Sequence, residues 1–119
     1  CAKVMISNLE GHCNPRSDPY RAGINLNNIG CGGNGVLDHF QAYWRSNRSS
    51  IRRDVAHIFF ARNFPENTIG CAYRPGLCSQ RDGYGAIDMA FSRDENHLAT
   101  LVAHELGHNL GVRHNGSWS

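Results

Sequence analysis

Residues 104–114 read H-E-L-G-H-N-L-G-V-R-H, and this stretch determines most about the fold and chemistry of the chain. On a helix, residues four apart lie on one face, so the imidazoles of His104 and His108 are neighbours. Gly111 can take a positive φ without steric cost, so the backbone can turn out of the helix there and bring His114 back as a third ligand. Three imidazoles would leave the fourth position of a zinc ion open, which is typical of a catalytic site.

Glu105 stands beside the first of these histidines, where its carboxylate could reach a water on the metal without ligating the metal itself. We therefore expect Glu105 to act as the catalytic general base. A bare H-E-x-x-H pattern arises by chance on polar helices, but the glycine and the third histidine are two further demands. Two alternatives remain: a solvated helix end rich in histidine, and a structural zinc site, which would need four protein ligands.

One amphipathic helix, from about Arg93 to Leu110, is predicted to carry the motif. Ser92 followed three residues later by Glu95 forms a capping-box pattern at its start, and the glycine of the motif ends it. The residues expected to be buried on this helix are Leu98, Leu101, Val102 and Leu106. His97 shares a face with His104, but three histidines already complete the ligand count, so we do not expect it to bind the metal.

The remainder of the chain alternates between strand-like, helical and loop-like segments. Alternating or continuous apolar residues predict four strands, at 2–9, 55–60, 68–73 and 84–91. Apolar residues at helical spacing predict a helix over 36–47, and the Gly-, Asn- and Pro-rich residues 10–35 predict a long loop. We expect His39 on that helix to be a surface residue and His57 to be a hydrogen-bonded core histidine.

The composition fits one small domain. The chain has 119 residues, of which 40% are hydrophobic, and this is compatible with a lean packed core. The net charge of +2 gives no case for binding to nucleic acid or to a membrane surface. No apolar run has the length of a membrane span. The first residue is a cysteine and no signal peptide is evident, so we expect a processed protein or an excised piece.

Five cysteines, none in a C-x-x-C pair, predict disulfides in an oxidising compartment rather than a structural zinc site. An odd number leaves at least one thiol free or paired with another domain or chain. The turn signal between Cys71 and Cys78 favours a pair across it, and Cys13 with Cys31, which bracket a Gly- and Asn-rich stretch, would be the second pair. Cys1 then remains unpaired, although the sequence alone does not establish the connectivity.

Two N-glycosylation sequons, Asn47-Arg48-Ser49 and Asn115-Gly116-Ser117, are typical of a secreted glycoprotein. Short sequons also occur by chance, so either of them can be unused. A glycan on Asn115 would lie beside His114 and obstruct the cleft, which makes the second sequon the less favoured one.

The chain resembles the adamalysin (reprolysin or ADAM-like) metalloproteases of the metzincin clan over residues 35–114. Residues 102–111, V-A-H-E-L-G-H-N-L-G, are similar to the family's zinc-binding helix, and 67–73, N-T-I-G-C-A-Y, resemble its substrate-facing edge strand. Further similar segments are the second helix (Leu37 to Phe40, with Trp44 and Arg45), the following strand (Arg53 to His57) and a Cys-containing turn (Gly76 to Ser79). A matrixin, another metzincin with the same chemistry, is the alternative, and the Asn109-Leu110-Gly111 context favours the adamalysins.

The resemblance implies an α/β (α+β) metzincin-like fold, in which a twisted, mostly parallel sheet with an antiparallel edge strand packs on the active-site helix. Residues 1–119 would then be a partial metalloprotease catalytic domain whose C-terminal subdomain is missing. Met5 and Met89 both precede the motif, so neither can form the family's methionine turn. Asn115 stands where the family usually has Asp, and the family's downstream partner of Cys78 is absent.

By the same resemblance, the chain is expected to be a zinc-dependent metalloendopeptidase that hydrolyses peptide bonds of extracellular proteins through a zinc-activated water. One Zn²⁺ would bind His104, His108 and His114, with Glu105 as the base. An extended peptide would pair with the edge strand, and the residues expected to contact it are Thr68, Ile69, Gly70, Cys71 and Ala72. The alternative is a zinc-binding but catalytically inactive fragment, or an assembly or interaction module derived from a metzincin.

These expectations also define partners and location. The partner would be a peptide or protein substrate, with no nucleic acid and no membrane span in this chain. The protein would work outside the cell, either secreted or as the ectodomain of a surface protein.

Overall fold

The computed structural model describes residues 5–14, 16–20, 31, 35–62, 64 and 67–114. In this part of the chain two helices and three strands follow one another as α1 (Val36–Asn47), β1 (Ala56–Phe60), β2 (Gly70–Ala72), β3 (Tyr84–Asp88) and α2 (Glu95–Asn109). A mixed sheet beside two helices is a small α+β arrangement, compatible with the metzincin-like class expected from the sequence. Neither of these helices is long and apolar enough to span a membrane.

The central strand of the sheet is β3, in the order β1-β3-β2. Strand β1 runs parallel to it, with Ala56 opposite Tyr84, and β2 runs antiparallel, with Gly70 opposite Ile87. All five residues of β3 are buried, because both helices contact this strand. A central covered strand needs small or apolar residues along its length, and the sequence Y-G-A-I-D supplies them up to its last residue.

Helix α1 forms over the predicted residues, where apolar side chains recur at helical spacing. Its buried residues are Val36, Leu37, Phe40 and Trp44. They pack with Tyr20 and with apolar residues of β1 and β3 into the hydrophobic core. Each fully buried side chain of this size stabilises the fold by roughly 1.5–3 kcal/mol. The indole of Trp44 also donates a hydrogen bond to the Tyr20 hydroxyl at 2.9 Å, which satisfies its one polar atom.

Helix α2 begins two residues later than the capping-box pattern predicts. Asp94 is the N-cap, and its carboxylate accepts a hydrogen bond from the Asn96 amide at 2.8 Å. The Ser92 hydroxyl accepts the Asp94 amide at 3.0 Å, so the predicted Ser92 cap is wrong. A carboxylate at this position also interacts favourably with the helix dipole, which favours Asp over Ser. Of the residues expected to be buried on this helix, Leu101 is buried, and the half-buried ones are Leu98, Val102 and Leu106.

The strands are shorter than the sequence pattern predicts. Residues 5–9 are exposed and belong to none of the strands, so the strand expected at 2–9 is wrong there, and residues 1–4 lie outside the described part. Apolar alternation forms a strand only where a neighbouring strand takes up its backbone hydrogen bonds. Strand β3 ends at Asp88 rather than at residue 91, because the Asp88 carboxylate accepts the amides of Ala90 and Phe91 and turns the chain.

One disulfide joins Cys31 to Cys71, whose Cα atoms lie 5.9 Å apart. Both predicted pairs, Cys71 with Cys78 and Cys13 with Cys31, are therefore wrong. The physical reason is burial: Cys71 on β2 packs with Cys31 against the core, whereas Cys78 is exposed and its thiol lies 3.5 Å from the Asp54 carboxylate. Cys13 is also free and exposed. The first cysteine of the chain lies outside the described residues.

Candidate metal centre and catalytic site

Three histidines converge at the C-terminal end of α2. The Nε2 atom of His104 lies 3.1 Å from that of His108 and 3.0 Å from that of His114, and the latter two lie 2.8 Å apart. The chain reverses at Gly111, whose φ is +92° and whose amide donates to the His108 carbonyl at 2.8 Å. The predicted turn at this glycine is confirmed, and it brings His114 back to the helix face.

The histidine cluster fits a zinc ion. The Nδ1 atom of His108 lies 2.9 Å from the carbonyl oxygen of Val112, which can only accept a hydrogen bond. This nitrogen must therefore carry the proton, and the lone pair of His108 Nε2 is free for the cluster. Nitrogen ligands at the usual distance from one tetrahedral zinc lie about 3.3 Å apart, close to the separations found here. A carbonyl on the far nitrogen is a common outer contact of zinc-binding histidines.

The surroundings of His104 favour the neutral, metal-binding form of its imidazole. Burial lowers the pKa of His104, and positive charge on His108 or His114 would lower it further. The histidines open onto a depression of about 200 Å³, which is also lined by Ala103, Gly107, Val112 and Arg113. The cluster is therefore accessible from solvent, as a catalytic metal site requires.

Glu105 follows His104 on α2, and its side chain is buried in the protein interior. The residue is only 3% exposed, and its buried Oε2 atom has no hydrogen-bond partner in the described part of the chain. Burial raises the pKa of this carboxyl group to about 7. Across the gap lies Gly70 of β2, where an added Cβ atom would be 2.6 Å from Glu105 Oε1. A buried polar atom without a partner is costly, and a catalytic role is one recognised reason for a native protein to keep one.

The strand that faces Glu105 has one edge that β3 does not use. Two hydrogen bonds fix the pairing of β2 with β3: Tyr73 amide to Tyr84 carbonyl at 3.1 Å, and Asp88 amide to Ile69 carbonyl at 2.9 Å. Bonded and non-bonded positions alternate along an antiparallel pair. The backbone groups of Gly70 and Ala72 therefore point away from β3.

The five residues predicted to contact a substrate differ in their placement. Thr68 and Ile69 precede β2 and are half-buried. Cys71 directs its backbone to β3 and its side chain into the disulfide. Gly70 and Ala72 have the outward backbone groups, and of these two Gly70 is packed against the catalytic candidate Glu105.

Asn109, the last residue of α2, is fully buried, and its place in the motif did not predict the structural role that follows. Its side-chain amide donates to the carbonyl groups of Tyr73 at 2.9 Å and Tyr84 at 3.1 Å, and its Oδ1 accepts from His57 Nε2 at 2.8 Å. Its backbone carbonyl accepts two further amides from the turn after β2. These hydrogen bonds connect the metal-binding helix to the sheet. Asparagine is disfavoured inside helices, so its presence at position 109 was the one feature of the sequence that could have indicated a structural role for this side chain.

The other histidines have structural partners. His57 is the hydrogen-bonded core histidine that the sequence predicts, and burial lowers its pKa. His97 is exposed, with Nδ1 3.4 Å from the Ser92 hydroxyl, and lies outside the histidine cluster. His39 is half-buried rather than a plain surface residue, with Nε2 3.3 Å from the Pro19 carbonyl oxygen.

Of the two sequons, one lies within the described residues. Asn47 is exposed at the C-terminal end of α1, where a glycan could be attached. Asn115 lies outside the described residues, so glycosylation at either position stays a prediction.

The chain is similar in sequence to known zinc proteases. A family model described as Reprolysin (M12B) family zinc metalloprotease matches residues 25–118. Snake venom metalloproteinase trimerelysin-2 of Protobothrops flavoviridis is 30% identical over 125 residues, which cover 94% of this chain and 61% of that protein. A zinc metalloproteinase/disintegrin of Bitis gabonica is 37% identical over 76 residues, covering 62% of this chain and 23% of that protein. Disintegrin and metalloproteinase domain-containing protein 1 of Rattus norvegicus is 42% identical over 74 residues, covering 60% and 9%. The chain thus spans less than two thirds of each of these relatives.

Proposed function

Because the chain belongs to the reprolysin (M12B) family of zinc metalloproteases, we propose that it is a zinc-dependent metalloendopeptidase that hydrolyses peptide bonds in extracellular proteins. One observation carries the proposal. Three imidazole nitrogens meet within 3.1 Å of one another, and the helix that supplies two of them also carries the buried carboxyl group of Glu105. Neutral nitrogen ligands beside an unpartnered carboxyl group are what metal-assisted hydrolysis needs.

His104, His108 and His114 would hold one zinc ion through their Nε2 atoms. When bound, zinc supplies a Lewis acid that lowers the pKa of a water molecule and polarises the substrate carbonyl. Because the three ligands are neutral imidazoles, they do not cancel the positive charge that this chemistry uses. The depression in front of the rings gives substrate and solvent access to them.

The role proposed for Glu105 is to move the proton. Its carboxylate would accept a proton from the attacking water and deliver it to the departing amine, so one group serves first as base and then as acid. The Oε2 atom has no hydrogen-bond partner in the described residues, so no existing bond has to break before it accepts the proton. Loss of such a group slows catalysis by roughly 10²- to 10⁴-fold.

An extended peptide is proposed to lie along β2 as an added strand. The outward backbone groups of Gly70 and Ala72 would pair with it, and Thr68, two residues earlier, continues the same outward set. The backbone groups of Ile69 and Cys71 face β3. These two residues would therefore contribute to peptide binding through van der Waals contact rather than through backbone hydrogen bonds. Backbone pairing selects for an extended conformation, so flexible segments of proteins are the expected substrates.

The chain is proposed to work outside the cell. The disulfide between Cys31 and Cys71 is typical of proteins that fold in an oxidising compartment. One of the similar proteins is, by its name, a snake venom metalloproteinase. The exposed thiols of Cys13 and Cys78 are available for pairing with another domain or chain.

Hydrolysis of fluorogenic extended peptides by the metal-free chain, before and after addition of zinc, tests this proposal. The parent should cleave only with zinc. The Glu105→Gln variant should bind zinc as the parent does but cleave at least about 100-fold more slowly, because the proton acceptor is lost. Glu95→Gln is the matched control, since Glu95 is exposed in the first turn of the same helix, and it should cleave like the parent.

Two results would change the proposal in different ways. If Glu105→Gln cleaves as fast as the parent with zinc bound, Glu105 is not the base. If the parent binds zinc with equal stoichiometry but cleaves none of the peptides, the chain is better described as an inactive zinc-binding module.

A further inference from the structure

Gly70 on β2 lies directly against the side chain of Glu105. A Cβ atom built on Gly70 would lie 2.6 Å from Glu105 Oε1 and 3.0 Å from both its Cδ and its Cγ. Non-bonded carbon atoms pack at about 3.5–4.0 Å. There is therefore no room for even a methyl group at this position while the carboxyl group stays where it is.

The backbone conformation does not account for this glycine. Among the described glycines, Gly111 has a positive φ and Gly70 does not, so alanine could adopt the backbone of Gly70 without strain. Glycine inside a strand weakens it and often marks a close approach by other atoms. The next residues of β2, Cys71 and Ala72, carry side chains. Clearance for Glu105 is thus the reason that the structure supplies for a glycine at position 70.

Glu105 has little freedom to give way. The close contact extends back to Cγ, so rotation of the terminal carboxyl group alone would not relieve it. The residue is 3% exposed, which leaves no adjacent solvent for the side chain to enter without leaving its pocket. The helix itself is held by the three side-chain hydrogen bonds of Asn109. A Cβ atom at position 70 must therefore displace the carboxyl group, because packed interiors transmit such strain.

We propose that Gly70 is a positioning residue for catalysis: the absence of a side chain there fixes where the Glu105 carboxyl group lies relative to the histidine cluster. The inference rests on the proposed function, in which Glu105 is the base. The backbone groups of Gly70 also face the proposed peptide. Gly70 would therefore contact both the base and the peptide and fix their positions relative to each other. A misplacement of about 1 Å in such a site lowers the rate by roughly 100-fold.

The Gly70→Ala variant tests this inference, with Gly11→Ala as the matched control, because a Cβ atom at Gly11 meets nothing within 4 Å. Zinc stoichiometry and far-ultraviolet circular dichroism should match the parent in both variants, since neither change touches the histidines. For Gly70→Ala, kcat should fall about 10- to 100-fold while KM changes less than about threefold. Gly11→Ala should keep both constants.

The Glu105→Asp variant separates positioning from general structural damage. Its carboxyl group is one methylene shorter and is withdrawn from position 70. Adding Gly70→Ala to this background should lower kcat less than about twofold, against the 10- to 100-fold loss in the parent background. An unchanged kcat in Gly70→Ala, or an equal loss in both backgrounds, overturns the inference.

Two further outcomes are also decisive. If Gly70→Ala does not fold, recovery of folding in the double variant with Glu105→Asp supports the clash, and failure of both overturns it. If the parent binds zinc without cleaving, the proposed function fails, and crystal structures of the zinc-loaded parent and Gly70→Ala then decide. A Glu105 carboxyl group displaced by about 0.5 Å or more supports the inference, since that is the gap to normal packing distance, and an unmoved one overturns it.

Discussion

Replacement of Asn109 by alanine tests how the metal-binding helix is anchored to the sheet. The change removes three side-chain hydrogen bonds from a residue with 0% exposure. Each of the two bonds to backbone carbonyl groups stabilises the fold by about 1 kcal/mol, and loss of the third leaves a buried donor on His57 without a partner, which costs about 1–3 kcal/mol. The Tyr84 carbonyl still accepts the Tyr73 amide, so it is not left unpaired. The free energy of unfolding should therefore fall by about 3–5 kcal/mol.

The assay is urea unfolding followed by circular dichroism, with Asn47→Ala as the matched control and both proteins made without glycosylation. Asn47 is the last residue of α1, as Asn109 is of α2, but it is exposed and its side chain makes one bond, to the Tyr43 carbonyl. Asn47→Ala should change the unfolding free energy by less than about 0.5 kcal/mol. With an m value of about 1–3 kcal/mol/M, Asn109→Ala should lower the midpoint by at least about 1 M. A loss below about 1 kcal/mol, or one equal to that of the control, would refute the anchoring role.

Three further predictions concern pH, the disulfide and a free thiol. Burial lowers the pKa of His57 below its ordinary value of 6.5, so the unfolded chain binds this proton more readily than the folded one. The unfolding free energy should be fully retained above pH 6.5 and should fall as the pH drops below this value. Urea unfolding at several pH values between about 7.5 and 5 should show a smaller fall for His57→Gln than for the parent. Equal slopes of unfolding free energy against pH in the two proteins would exclude a contribution from His57. Replacement of Cys31 and Cys71 by serine should lower the unfolding free energy by about 4 kcal/mol, because the bond closes a loop across a sequence separation of 40; in thermal or urea unfolding, a loss under about 1 kcal/mol would contradict this. The hydrogen bond to Asp54 raises the pKa of the Cys78 thiol, so Asp54→Asn should speed alkylation of Cys78 at mildly alkaline pH. An alkylation rate that mass spectrometry finds unchanged in this variant would contradict the prediction.

The parts of the structure that were predictable have local determinants. Helix α1 begins and ends at the predicted residues because its buried side chains recur at helical spacing within the helix itself. The histidine cluster depends on one helical turn and on the positive φ of Gly111, and both follow from an eleven-residue pattern. At the start of α2, Ser92 and Asp94 are both residue types that favour the N-cap position. The sequence pattern predicted Ser92, whereas the structure has Asp94 as the N-cap.

The parts that were missed depend on residues far apart in the chain. Asn109 bonds His57, which is 52 positions away, and no local pattern reports such a contact. The partner of Cys71 is likewise set by which cysteine the fold brings to the core, and not by the turn beside it. The clearance at Gly70 exists only because α2 packs against β2. Long-range packing thus supplies the features that a linear motif leaves undetermined.

A zinc titration of the metal-free chain, with the rate of peptide hydrolysis recorded at each addition, tests most directly whether one zinc ion on the three histidines carries the activity. We predict a rate that rises in proportion to added zinc and levels off at one ion per chain, and a His114→Ala variant that gains no activity over the same range. Hydrolysis that does not depend on zinc, or that the His114→Ala variant performs as well as the parent, would contradict this.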